Sequence, residues 1–301
     1  MAKSNPTLTV GITTCYGDES IIETVRSIRG QRRIGDFRFI IVADRVPIKD
    51  HIKSQLKKYN VELIENKIEG SQIKKQKQIL ALTNSDIIIL TQDDVVYRPY
   101  DFSKIIKAFE KEDGLTMASV RNQHLEPISF FEDVLNVGTR IANNIAGYWR
   151  QGDNYLANVG RCMAFRTKFL KEHFSVQESV ATTDACYYFS NKYAGGKFKY
   201  LYKLAVYFRN PQNMTEHLRK SSRFQYSMLE MARYFDKENL EREYRIPLRV
   251  KVVATLEEFF KNPIKTALYF GIRIYTTINR LKPTKVLNPI WEVDVSTKKI
   301  S

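Results

Sequence analysis

The run Ile87-Ile-Ile-Leu90, set between Asp86 and Thr91-Gln92-Asp93-Asp94, constrains the fold more than any other stretch of the chain. Four consecutive apolar residues leave no strand face suited to water, so the run predicts a central strand covered on both sides. Residues 7 to 12 and Phe37 to Ala43 read as further strands, and Val61 to Ile64 as a short third one. Helical patterns lie between them. Ile21, Ile22, Val25 and Ile28 share one face, and residues 48 to 58 and about 71 to 83 complete the set. This alternation predicts an α/β fold, a mainly parallel sheet with helices on both faces. Ligands of such sheets bind beyond the carboxyl ends of the strands. Thr13 to Tyr16, Asp44 and Asp93-Asp94 all fall at predicted strand ends, so they are expected to converge on one crevice.

A chain of 301 residues has room for a sizeable core, in one large domain or two small ones. Its 43% hydrophobic and 27% charged residues are those of a globular protein, not of a chain disordered throughout. The net charge of +15 attracts polyanions: nucleic acid, anionic lipid headgroups or phosphorylated small molecules. Charge alone does not choose among them. Cys15, Cys162 and Cys186 form no CxxC pair, so neither a zinc finger nor a disulfide framework is expected, and a reducing cytoplasm fits. Neither a signal peptide nor a membrane span is predicted.

The second half is less regular. Residues 115 to 120 and 158 to 165 suggest strands, 198 to 209 strands rich in Tyr and Phe, and 129 to 148 and 183 to 194 helices. From 213 to 285 there are 15 Lys and Arg against 8 Asp and Glu. There Ile264, Leu268, Ile272, Tyr275 and Ile278 recur at helical spacing beside Lys265, Arg273 and Arg280. This basic amphipathic helix would either lie on an anionic membrane face or pack on the domain.

The chemistry is expected at Asp93-Asp94. Adjacent carboxylates at the end of a buried strand repel each other, so a cation or strong donors must offset them. Hard cations such as Mg²⁺ and Mn²⁺ take one or two carboxylates plus phosphate oxygens. The same pair would also serve as a polar turn that caps a following helix.

Taken together, the motifs resemble glycosyltransferase family 2, inverting enzymes of the GT-A fold. Val10-Gly-Ile-Thr-Thr-Cys-Tyr-Gly-Asp-Glu19, followed by Ile22-Glu-Thr-Val-Arg-Ser-Ile-Arg-Gly-Gln31, is similar to the family's opening strand, turn, acidic residue and helix. The resemblance places Thr13, Thr14, Tyr16 and Glu19 at the nucleotide. It makes Asp44 the candidate for the base or ribose, and adds Lys77 and Gln92 to the donor contacts. Thr91-Gln92-Asp93 resembles the Asp-x-Asp metal motif with its first Asp replaced, which implies Asp93 as main ligand of Mn²⁺ or Mg²⁺ and Asp94 as its assistant. Thr182-Thr183-Asp184-Ala185 stands where the family has Glu-Asp, implying Asp184 as general base. A helix cap is the plain physical alternative there. Glu216-His217-Leu-Arg219-Lys220-Ser-Ser-Arg223-Phe224 takes the place of Gln-x-x-Arg-Trp. Arg219, Lys220 and Arg223 would clamp a diphosphate, and His217 would be a further metal ligand, a diphosphate donor or a surface residue.

The resemblance spans about residues 8 to 225. It implies a glycosyltransferase domain over 1–225, with a nucleotide-sugar half to about 115 and an acceptor half after it, and a helical extension over 226–301. The implied reaction moves a sugar from a UDP- or dTDP-sugar to the hydroxyl of a saccharide or lipid-linked acceptor. Surface polysaccharide or glycolipid assembly, in the cytoplasm or on the inner face of the cell membrane through 247–285, is the expected setting. Three other readings remain open. A sugar-phosphate nucleotidyltransferase would need a Gly-rich phosphate loop, which Gly11-Ile-Thr-Thr lacks. A nucleic-acid-binding protein would need a recognition motif, and none appears, so no nucleic acid is expected. The third is a non-catalytic sugar-nucleotide-binding protein.

Overall fold

A computed structural model describes residues 6–174, 178–290 and 292–300. The run at 87–90 is a strand in the interior of an eight-stranded sheet, and its alternate side chains enter two different cores. Ile87 and Ile89 pack with Val10, Ile12 and Ile41, whereas Ile88 and Leu90 pack with Ile40, Val42, Ile79 and Met117. That two-sided burial is why every position of the run is apolar.

The first half alternates as expected: β1 (Leu8–Tyr16), α1 (Ser20–Arg29), β2 (Arg38–Val46), α2 (Asp50–Lys58), β3 (Glu62–Glu65), α3 (Gln72–Leu82) and β4 (Ile87–Gln92). Next come β5 (Val95–Tyr97), α4 (Asp101–Lys111), β6 (Leu115–His124), α5 (Phe130–Tyr148), β7 (Cys162–Arg166), α6 (Thr167–His173), α7 (Thr183–Tyr193) and β8 (Lys197–Phe208). The sheet order is β3-β2-β1-β4-β7-β6-β8-β5. Among the described residues β7 and β5 run against the other strands. β7 therefore joins two parallel blocks, and its start lies beside the end of β4, where Thr91 faces Cys162. In the register of β1 and β4, Thr13 stands beside Gln92, which brings Thr14 to Asp93.

The remaining helices are α8 (Met214–Gln225), α9 (Ser227–Met231), α10 (Lys237–Tyr244), α11 (Leu248–Lys261), α12 (Pro263–Ile278) and α13 (Pro283–Val286). Pro263 opens α12, where a missing N–H costs nothing. α11 and α12 pack on α5 through Ala254, Tyr269 and Phe270 against Val137 and Ile141. Gly138 permits this approach, since a methyl group there would lie 2.2 Å from the Tyr269 ring. The predicted stripe on α12 does not make this contact: Ile264 and Ile278 are 74% and 76% exposed, and Leu268 and Tyr275 are exposed as well. Among the described residues no helix is long and apolar enough to cross a membrane. After α13 the chain turns back, and Pro289, Ile290, Asp294 and Lys298 reach the carboxyl ends of β1 and β4.

Candidate functional site

A cavity of about 140 Å³ opens beyond the carboxyl ends of β1 and β4. One wall is acidic. The Asp93 side chain is almost fully buried, and Thr14 Oγ1 donates to its Oδ2 at 2.5 Å. Lys298, from the last residues of the chain, donates to the other oxygen, Oδ1. Its Nζ also lies 3.5 Å from Asp94 Oδ2, which accepts from Thr297 Oγ1 at 3.1 Å. Burial and the neighbouring Asp94 hold the Asp93 pKa above the ordinary value, against the pull of Lys298. Asp94 is half-buried, and Lys298 and Arg161 outweigh the burial it has and hold it ionised. The Lys298 ammonium stays charged, because the two carboxylates overcome its burial.

Other side chains of the lining are basic. Lys220 is half-buried, and burial together with Arg161 pushes its pKa down to about 7. Its Nζ donates to Asn210 Oδ1 at 3.2 Å and lies 5.4 Å from the Phe208 ring centre. Arg161 stacks on the same ring at 3.8 Å. Thr91 Oγ1 and Tyr97 Oη donate to the Arg161 carbonyl at 2.7 and 2.9 Å. Thr91, the replaced residue of the metal motif, thus anchors the start of β7 and with it the Arg161 guanidinium. The Arg161 Nε has no hydrogen-bond partner among the described residues.

Asp184 stands in the first turn of α7. Its Oδ1 accepts from the Ala185 N–H at 2.9 Å, and Asn158 Nδ2 donates to its carbonyl at 2.7 Å. Burial raises its carboxyl pKa, although Arg223 and Arg161 counter the rise. The preceding residues are held by the buried Glu230, which accepts from the N–H groups of Ala181 and Thr182 at 2.7 and 2.8 Å. Gly160 separates Asp184 from the cavity wall. A methyl group at Gly160 would lie 3.7 Å from Asp184 Cβ and 3.8 Å from Gln92 Nε2. The base candidate and the acidic pair therefore occupy one end of the sheet.

Of the residues expected from sequence, Thr13, Thr14, Gln92, Asp93, Asp94 and Lys220 line the cavity. Arg219 adjoins it through Glu292 and Asp294, the latter at 3.2 Å. Arg223 lies within the field of Asp184 and Asp294. Asp44 lies behind the wall, with both oxygens engaged by Lys75 Nζ at 2.6 Å and the Gly70 N–H at 2.9 Å. Tyr16 and Lys77 are half-buried outside the lining. Glu19 is exposed and pairs with His51 at 2.6 Å. His217 also stands outside the lining, edge-on to Phe131, where burial and Lys220 push its pKa down to about 4. Sequence reasoning did not select Lys75, Arg45, Pro289, Ile290, Asp294 or Lys298, which contribute to the walls.

Among the described residues no three His, Cys, Asp or Glu side chains cluster to hold a metal ion unaided. The donors present nonetheless fit one. Asp94 Oδ1 is buried without a partner among the described residues, and an ammonium already stands between the two carboxylates. That is the donor set of a hard cation that completes its shell with phosphate and water oxygens.

The family profile described as Glycosyl transferase family 2 matches residues 9–174. The chain belongs to that family and is a glycosyltransferase. No curated protein sequence matches it at a significant level. Among solved structures, it is similar to the mannosyltransferase PcManGT from Pyrobaculum calidifontis, in complex with GDP-Man and Mn²⁺. That similarity has a TM-score of 0.57 at 14% identity and covers 95% of this chain and 79% of that one. It is also similar to S. aureus TarS 1-349 in complex with UDP-GlcNAc, with a TM-score of 0.51 at 14% identity over 85% and 73% of the two chains. The fold is the GT-A fold of these glycosyltransferases.

Proposed function

We propose that the chain is an inverting glycosyltransferase that binds a nucleoside diphosphate sugar, a UDP- or dTDP-sugar, in the cavity beyond β1 and β4. The observation that carries this reading is the charge pattern of that one cavity, which is lined both by the acidic pair Asp93 and Asp94 and by the basic Arg161 and Lys220. A diphosphate needs both, basic side chains for its oxygens and an acidic pair for a counter-cation. Mn²⁺ or Mg²⁺ held by Asp93 and Asp94 would supply positive charge against the departing diphosphate.

The chain's own residues do the rest. Thr14 fixes the Asp93 carboxylate. Lys220 and Arg161, with Arg219 and Arg223 beside them, hold the diphosphate through charge-assisted hydrogen bonds. Asp184 takes the proton from the acceptor hydroxyl as that oxygen displaces the diphosphate at the anomeric carbon in a single step. Its raised pKa makes it a stronger base than an ordinary carboxylate. His217 is neutral at physiological pH, so its ring nitrogens can still serve as a donor or ligand when the nucleotide is bound.

The acceptor we assign is a saccharide or lipid-linked saccharide in surface polysaccharide or glycolipid assembly, met at the cytoplasmic face of a membrane. The exposed apolar side chains of α11 and α12, among them Phe260, Ile264 and Ile278, stand among Lys251, Lys261, Lys265 and Arg273. That combination suits an anionic membrane surface along 247–285.

A thermal-shift screen of nucleoside diphosphates with and without Mn²⁺ tests the donor site. One of them should stabilise the protein, and Asp93→Ala should abolish the effect. If none stabilises it, or if Asp93→Ala responds like wild type, the reading fails.

A further inference from the structure

Three charged side chains, Glu292, Asp294 and Lys298, meet five charges of the donor site. Lys298 donates to Asp93 and stands 3.5 Å from Asp94. Glu292 and Asp294 both pair with Arg219, and the Asp294 carboxylate also faces Lys220 and Arg223. The segment thus presents one cation to the acidic pair and two anions to the basic cluster. A metal-bound nucleoside diphosphate presents the same pattern.

We propose that residues 292–298 are a built-in competitive occupant of the donor site, with Lys298 in the place of the divalent cation and Glu292 and Asp294 in the place of the diphosphate. The proposal rests on the donor-site reading above and adds its regulation: the segment must leave before the donor enters.

Exclusion follows from distance. A divalent cation sits roughly 2.0–2.6 Å from carboxylate oxygens. An ammonium bonded to Asp93 Oδ1 and close to Asp94 Oδ2 occupies that space, and two cations so close together repel strongly. Arg219 likewise cannot offer a diphosphate the N–H groups it gives to Glu292 and Asp294. Much of the segment's hold is polar. The Ser296 N–H donates to Glu216 Oε1 at 3.3 Å, the Gln212 N–H to Ser296 Oγ at 2.9 Å, and Arg209 to the Lys299 carbonyl. Bonds of this kind are readily exchanged for water or ligand oxygens.

The test uses the full-length chain. Titration with Mn²⁺ alone, followed by the electron paramagnetic resonance of the free ion, compares wild type with Lys298→Ala. The variant should bind about 10-fold more tightly, because the apparent affinity of a site is scaled by its open fraction. In wild type, Mn²⁺ with UDP, dTDP or GDP should speed hydrogen exchange at the amides of 292–300 while protecting the ends of β1 and β4. That second measurement needs no variant. Glu292→Gln with Asp294→Asn should tighten nucleoside diphosphate binding and leave Asp93 untouched. If a nucleotide binds but exchange at 292–300 is unchanged and the variants bind no tighter, the segment is a fixed wall. The inhibitory proposal then falls and the donor site stands. If Lys298→Ala instead weakens nucleotide binding, Lys298 is part of the donor site, which also overturns the proposal. If no nucleoside diphosphate binds to any form, the donor site itself falls and takes the proposal with it.

Discussion

Thr14 Oγ1 donates a 2.5 Å hydrogen bond to Asp93 Oδ2 across the ends of neighbouring parallel strands. The hydroxyl fixes one oxygen of the carboxylate and leaves the other to face a cation. Thr14→Val keeps the shape and removes the donor. The expected result is a loss of about 10-fold in metal-supported turnover, in the range typical when a partner that orients a ligand is lost. Asp93→Asn should lose on the order of 10²-fold or more, as when a preorganised electrostatic group is removed from an active site. Steady-state rates measured across a Mn²⁺ titration separate the two. Equal losses in both variants would show that Thr14 does more than orient Asp93.

Asp184 is half-buried, and that burial holds its pKa above the ordinary carboxylate value. The general-base role proposed for it needs the deprotonated form, so turnover should fall as pH drops through that raised pKa. The acid limb of the kcat/KM profile should therefore lie at higher pH than for an exposed aspartate. Asp184→Asn should lower kcat by about 10²- to 10⁴-fold, the usual worth of a positioned base, and leave nucleoside diphosphate binding intact. A flat acid limb in wild type, or loss of nucleotide binding in the variant, would reassign the residue.

Lys220 has its pKa pushed down to about 7 by burial and by Arg161, so at pH 8 much of it is neutral in the free protein. A diphosphate beside it favours the ammonium and should draw in a proton on binding. Calorimetry of nucleoside diphosphate binding at pH 8, in buffers of different ionisation enthalpy, should reveal this uptake as a slope. Lys220→Arg, which stays charged, should abolish the slope and retain binding. The same slope in both proteins would mean that another group takes the proton.

The parts of the fold visible in sequence are those where one local pattern decides the outcome. The all-apolar run before Thr91 required a doubly covered strand, and its end required the acidic pair to stand at the sheet's rim. The strand ends placed Thr14 and Asp93 side by side, where they are found, whereas Asp184 was named by resemblance alone. Asp44 was legible as a strand-end residue but not as the buried partner of Lys75, because nothing local announces a contact 31 residues away. Thr91 looked like a lost metal ligand, yet it anchors Arg161 through a carbonyl 70 residues along. The segment around Lys298 carries no periodicity, and its 205-residue link to Asp93 is purely tertiary.

The exposed apolar side chains on α11 and α12 take no part in the contact with α5, which Ala254, Tyr269 and Phe270 make. Phe260, at 80% exposure, and Ile264, at 74%, are among the most exposed. Vesicles containing anionic lipid should carry the full-length protein in flotation, and Phe260→Glu with Ile264→Glu should release it without lowering the melting temperature. Raised salt should weaken the wild-type interaction, because basic side chains contribute about 1 kcal/mol each only within a Debye length of the surface. Flotation that is unchanged in the double variant would remove this face from the membrane reading.

Glu230 supports the α7 turn from behind. Its buried carboxylate accepts from the Ala181 and Thr182 N–H groups and from the Thr182 hydroxyl, two residues ahead of Asp184. Glu230→Gln keeps the size but turns an NH₂ group toward one of those donors. A buried donor left unpaired costs about 1–3 kcal/mol, so the variant should be less stable by that order in urea denaturation. The turn that sets Asp184 against Gly160 would loosen, and kcat should fall by about 10-fold with little change in donor KM, since the diphosphate clamp stands on other elements. A purely structural role predicts the stability loss alone. A rate change confined to kcat, with an acid limb still at the wild-type position, marks Glu230 as the residue that positions the base.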